Sequence, residues 1–241
     1  MGQWIKLNKH EIHVKREVIH NLIKMDKSVY ATFTETEDYI PSFSTSVIVV
    51  GDSSIKKVGK QFAALMKKLE AEEHYYKYSQ LLAILEKYDC RLREIIEYRC
   101  FMNSNFENMV YKFYLDRRQI AYYFNTACLI IAYLDRNIDF SIIDYFNYYK
   151  RNHTLNYALN AVVKILLTEA EIKNLDTTKI FNFLAAELKN CKKEETNEFV
   201  SAVYRISYKH PEIKIKLKPQ LEENYVGIKH KIEEKTKSSI L

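Results

Sequence analysis

Residues 105–124 read NFENMVYKFYLDRRQIAYYF: a polar opening, a short amphipathic run, a second polar break at Asp116 and another amphipathic run that starts on two arginines. Ser104 and Glu107 have the spacing of a capping box, a hydroxyl at the cap and a carboxylate three residues on, which predicts a helix from Asn105. Asp116 and Gln119 repeat the device and predict a second helix from Arg117. Met109, Val110 and Phe113 then share one face of the first helix, and Ile120, Phe124 and Ala127 share one face of the second, with Leu115 in the turn. Two short helices, a three- or four-residue turn and a common apolar seam are the anatomy of a helix-turn-helix. They are equally the anatomy of two packed helices in an all-α core, and the local pattern leaves both open.

Composition points the same way as the stretch. The 241 residues suffice for one large domain or two small ones without disulfide support. Only 4 Gly and 3 Pro are present, too few for the closely spaced turns of a β-sandwich or barrel, so the expected class is mainly α with at most one or two short strands. Nineteen Tyr and 12 Phe supply apolar surface to bury, which argues against disorder. The four cysteines, Cys90, Cys100, Cys128 and Cys191, form no CxxC pair, and no secretory signal opens the chain; free thiols in a reducing cytoplasm are expected. The longest apolar run, ACLIIAYL, is less than half of the ~18 residues a membrane helix needs, so no membrane partner is expected. A net charge of +6 is compatible with nucleic acid without requiring it.

Working outward, Ile12, Val18, Ile19, Leu22 and Ile23 make a loose helical face in an N-terminal segment, 1–52, that is partly irregular, with one strand expected at 46–50. From Ser53 a long amphipathic helix carries Ile55, Val58, Phe62, Leu65, Met66 and Leu69 at three- and four-residue spacings, continued by Leu81, Leu82, Ile84 and Leu85; Leu92, Ile95 and Ile96 follow a break near Asp89. Residues 53–140 are the expected helix-turn-helix domain, and 141–241 a helical interaction or oligomerisation domain. In the latter, Thr168–Glu171 has capping-box spacing, and HPEIKIKLKP alternates Ile and Lys as a short strand would.

Other motifs carry less. In VIVVGDSSIKK an apolar run precedes Gly51, but Ile55 precedes Lys56 and Lys57 follows it, so the second glycine and the hydroxyl of a phosphate loop are missing; a turn capped at Ser53 is the better reading. In HEIH the histidines stand at i and i+3 rather than i and i+4, and His10 and His13 are read as surface residues, as are His20, His74, His153, His210 and His230. No nucleophile elbow or Cys–His signature is present, and Glu72–Glu73, Glu194–Glu195 and Glu233–Glu234 lie in charge-rich stretches. The chain is expected to be no enzyme and to hold no metal or cofactor. Tyrosine clusters at 75/76/78, 122/123 and 145/148/149 suit protein interfaces as well as a core edge.

Over about 53–140, the order LLAILEKYDCRLREIIEYRCF, NSNFENMVYKFYL, DRRQIAYYFNTACLIIAYLDRNIDFS resembles the region-4-like domain of sigma factors, closest in layout to phage late-transcription regulators of the ArpU/RinA type. Leu115-Asp116-Arg117, Ala127 and Ala132-Tyr133-Leu134 occupy the places of the family's leucine–Ser/Asp–Arg turn and its last helix ending in alanine and leucine. Val110 and Tyr114 stand where the family has a small residue and a glycine, and Tyr122, Tyr123 and Asn125 where basic residues are common. The resemblance implies a duplex-DNA-binding transcription regulator acting with host RNA polymerase in a bacterial cytoplasm, with self-association as a further expectation. On such a scaffold the first turn of the second helix enters the major groove. Arg117, Arg118, Gln119, Tyr122 and Asn125 are then the expected base readers, with Lys112 and Arg99 near phosphates. The alternative, from a different class, is a non-enzymatic protein-binding module that sequesters or inhibits a host protein.

Overall fold

The computed structural model describes residues 6–35, 52–173, 178–191 and 193–209, which are helical almost throughout and contain no strand. The segments expected as strands, at 46–50 and within HPEIKIKLKP, lie outside the described residues. The chain divides into two compact units, Met1–Asp139 and Phe140–Leu241.

The first unit contains α1 (Lys9–Glu35), α2 (Asp52–Tyr88), α3 (Cys90–Cys100), α4 (Phe106–Phe113) and α5 (Arg117–Leu134). Its centre is α5, on which all four others pack. Every residue from Phe124 to Ala132 is buried, and from Ala127 to Ala132 the helix is apolar around its whole circumference. At several of these positions the side chain is small, Ala127, Cys128 and Ala132 among them, which lets neighbouring helices approach closely. α1 meets this core through Glu11, Val14, Val18, Leu22 and Met25, spaced three and four apart; Ile12 and Ile23 face solvent, contrary to the face expected for them. Glu11 is buried because it closes a capping box that sequence reading missed: the Asn8 amide donates to its carboxylate (2.9 Å), and its own amide donates to Asn8 Oδ1 (2.8 Å).

α2 ends at Tyr88, and Asp89 caps α3 by accepting from the Arg91 amide, so one aspartate sets the expected break. The last third of α2 is core, with Tyr78, Leu81, Leu82, Ile84 and Leu85 buried. Further toward its N-terminus Phe62, Leu65, Met66 and Leu69, expected on one face of an amphipathic helix, are exposed. The end of α5 is tied to α2 by Asp135, whose buried carboxylate accepts from Lys77 Nζ, Tyr78 Oη and the Asn137 amide. Burial pushes this carboxyl up, but the bonds from Lys77, Tyr78 and Asn137 outweigh it and hold Asp135 below the usual range. Tyr78 is pushed up, by burial and by the same bond to Asp135.

The second unit repeats the principle. α7 (Leu155–Ile172) is its buried helix, and α6 (Ile142–Asn152), α8 (Thr178–Asn190) and α9 (Lys193–Lys209) pack on it. Ser141 caps α6 in a reciprocal box with Asp144, and Thr154 caps α7. Thr168 and Glu171 do not start a helix as their spacing suggested: Thr168 Oγ1 donates to the Lys164 carbonyl in mid-helix (2.9 Å), and α7 runs on to Ile172. Glu169, buried beside them, is held by Lys173 (2.9 Å) and by Lys179 of α8 (3.6 Å).

Candidate nucleic-acid interface

The α4–α5 edge is built on aromatic packing beneath it. Tyr98 of α3 meets Phe113 edge-on (5.4 Å), and Phe106 of α4 meets Phe124 of α5 in the same manner (5.8 Å). Met109 and Ile120 are fully buried between the helices, as the seam predicts. α4 begins one residue later than expected. Asn105, not Ser104, is the cap, accepting from the Asn108 amide (2.8 Å). Ser104 is otherwise engaged, its amide donating to the Tyr98 carbonyl (2.9 Å) and its carbonyl accepting from Arg99 Nη1 (3.1 Å).

Three residues, Tyr114, Leu115 and Asp116, separate α4 from α5. Tyr114 turns the chain in the left-handed region, φ 53° and ψ 38°, a conformation that disfavours any side chain with a Cβ. Asp116 then caps α5 by accepting from the Gln119 amide (2.8 Å), while Gln119 Oε1 accepts from the Asp116 amide (3.0 Å); α5 starts at Arg117 as the spacing predicted.

The expected DNA-contacting residues divide by position. Arg117 and Arg118 stand in solvent on the first turn of α5. Arg117 lies 3.7 Å from Glu107 with both groups well exposed, a pairing too solvated to fix either side chain. Gln119 is exposed, but its carbonyl oxygen is committed to the cap. Tyr122 is half-buried against Tyr123 (5.5 Å). Lys112 is exposed above the Tyr98 ring (5.5 Å). Arg99 is half-buried over Phe106 (5.5 Å) and holds the Ser104 carbonyl, so it braces the α3–α4 connection.

Asn125 requires correction. Expected to read bases from an exposed face of the second helix, it is instead 9% exposed and accepts a hydrogen bond from Lys15 Nζ of α1 (2.8 Å). Lys15 also lies over Phe124 (5.3 Å), and burial holds its ammonium below the usual range. The packing of α3 on α5 adds a contact that sequence reading missed: Arg91, exposed, lies over the Tyr123 ring (5.8 Å). Nothing local in the sequence pairs Arg91 with position 123, because only the tertiary crossing of the two helices brings them together.

The first turn of α5 thus offers Arg117 and Arg118, and the end of α4 with the turn after it offers Lys112 together with Tyr111 and Tyr114, the two tyrosines 80% and 94% exposed. No group of His, Cys, Asp and Glu able to hold a metal ion occurs among the described residues. No helix among them is long and apolar enough to cross a membrane. No family model, curated protein or solved structure matches the chain.

Proposed function

We propose that the chain binds duplex DNA through the α4–α5 edge, with Arg117 and Arg118 entering the major groove and Lys112 meeting phosphates. The observation that carries this is the capped first turn of α5: a rigid helix start holds two arginines in solvent immediately after a three-residue turn. Arg is the side chain that pairs guanine bidentately, and Arg or Lys neutralises phosphates. With Gln119 committed to the cap and Asn125 turned inward, base reading falls to two or three side chains, so affinity in this reading leans on charge. The role in transcription implied by the resemblance to late-gene regulators follows from that contact.

Fluorescence anisotropy with labelled duplex fragments at two salt concentrations tests it. Binding is expected to weaken at least tenfold in Arg117→Ala/Arg118→Ala, and the salt slope to fall by about 1 in Lys112→Ala, which removes a phosphate contact. Absence of binding by the wild type, or equal binding by the arginine variant, overturns the proposal.

The exposure of Tyr111 and Tyr114 beside Arg117 favours a second reading, a protein-binding module. Tyrosine and arginine together are the residue types that anchor protein interfaces. A partner whose binding is lost on Tyr111→Ala, with no duplex bound, would establish it in place of the first.

A further inference from the structure

Among the described residues two non-glycine side chains sit at positive φ, Asn103 (47°) and Tyr114 (53°). Asparagine enters the left-handed region readily. Tyrosine does not, and a glycine would turn the chain there without the clash. Such strain is ordinarily offset by packing, yet the Tyr114 ring is 94% exposed and buries almost nothing. The fold gains nothing from this ring, so its use lies with a ligand.

Tyr111 belongs to the same surface. Glu107 and Tyr111 stand one turn apart on one line of α4, across the helix from buried Met109. Arg117 Nη1 lies 3.7 Å from Glu107, which sets Arg117 at the solvent face that Tyr111 occupies. Tyr114 lies in the three-residue turn that joins this face to Arg117.

The surroundings narrow the ligand. From Asn105 to Gln119 every other exposed side chain is polar or charged. A protein interface surrounds its aromatic anchors with further apolar surface, and no exposed aliphatic side chain stands within this stretch. An unpaired base asks only for a flat ring against its face and a cation for its phosphate. Lys112, Arg117 and Arg118 supply the cations; of the two carboxylates beside them, Glu107 and Asp116, the second is held in the cap of α5. An intact duplex keeps its base faces inside the stack, so the rings find one only where the strands part.

We infer that Tyr111 and Tyr114 stack on unpaired bases, so that the α4–α5 edge takes DNA at a junction between duplex and single strand. The inference rests on the DNA reading and adds a preference to it.

Fluorescence anisotropy on the full chain tests it, comparing a blunt duplex with the same duplex carrying a thymine tail of about ten nucleotides. The tail is expected to tighten binding about tenfold, and a tail of abasic nucleotides, with phosphates but no bases, to give no preference. Tyr111→Ala/Tyr114→Gly is expected to abolish the preference without lowering the urea midpoint, because both rings are exposed and glycine suits the turn. Tyr111→Phe/Tyr114→Phe keeps it, because the ring and not the hydroxyl stacks. Equal binding of tailed and blunt DNA by the wild type overturns the inference and leaves the duplex reading standing. So does a preference that survives in the alanine/glycine variant or on the abasic tail. Tailed DNA bound with no affinity for the blunt duplex upholds the stacking and overturns the major-groove reading; binding of neither DNA overturns both.

Discussion

Replacing Asp135 by Asn removes one negative charge from the junction between α5 and α2 while keeping the size of the side chain. In the wild type the carboxylate is 1% exposed and accepts from Lys77, Tyr78 and the Asn137 amide. Asparagine retains one oxygen for these three donors and turns an NH2 group toward the others. Breaking a fully buried ion pair costs about 3–5 kcal/mol, and a charge-assisted hydrogen bond contributes about 1.5–3 kcal/mol. Lys77, however, is one-third exposed and regains water when released, which puts the loss at the lower end, about 2–3 kcal/mol. For a unit of this size that corresponds to roughly 6–9 °C in Tm. The pH dependence has a definite sign. The folded-state pKa of Asp135 lies below its unfolded value, so its stabilisation is complete above the unfolded pKa of about 3.9 and is lost as pH falls through the lower, folded value. Urea unfolding of wild type and Asp135→Asn, followed by circular dichroism near pH 7, pH 5 and pH 3, should show a gap that is full at the first two and narrows at the third. A gap below about 0.5 kcal/mol at neutral pH, or one of constant size down to pH 3, would refute the assignment of Asp135 as an ionised tie between the helices.

Two further substitutions probe the α4–α5 edge. Tyr114→Gly is expected to raise stability by about 0.5–1 kcal/mol, since glycine adopts the left-handed turn without a Cβ clash and a ring 94% exposed gives up little packing. A fall in the urea midpoint would show instead that the ring holds the turn in place. Asn125→Ala is expected to lower stability by about 1–2 kcal/mol, because the half-buried Lys15 ammonium loses its acceptor, while leaving duplex affinity unchanged. Loss of DNA binding at full stability would return Asn125 to the groove.

What the sequence could disclose was local. The start of α5 at Arg117 followed from Asp116 and Gln119, whose reciprocal bonds involve residues three apart, and the end of α2 followed from Asp89. The same rule misplaced two other helix starts. At Ser104 the hydroxyl competed with an asparagine next door, and at Thr168 a continuous apolar period carried α7 straight through the signal. Periodicity found the apolar stripe of α2 correctly but could not say what covers it, because amphipathicity fixes a face and not its partner. Asn125 and Arg91 were misjudged or missed for the complementary reason. Their surroundings are supplied by α1 and by the α3–α5 crossing, from residues 110 and 32 positions away along the chain.

The four thiols of the chain are distributed so that they report on its breathing. Cys90 is exposed and Cys191 half-exposed, whereas Cys100 and Cys128 are buried in the first unit. Burial pushes Cys100 up to about 11 and raises Cys128 as well, so neither sulfur offers a reagent appreciable thiolate while α3 and α5 stay together. An alkylating agent therefore marks Cys90 at once and reaches the two inner sulfurs only in the fraction of time that the unit stands open. Their labelling rate is a stopwatch for that opening, present in the native chain without a dye or an engineered probe.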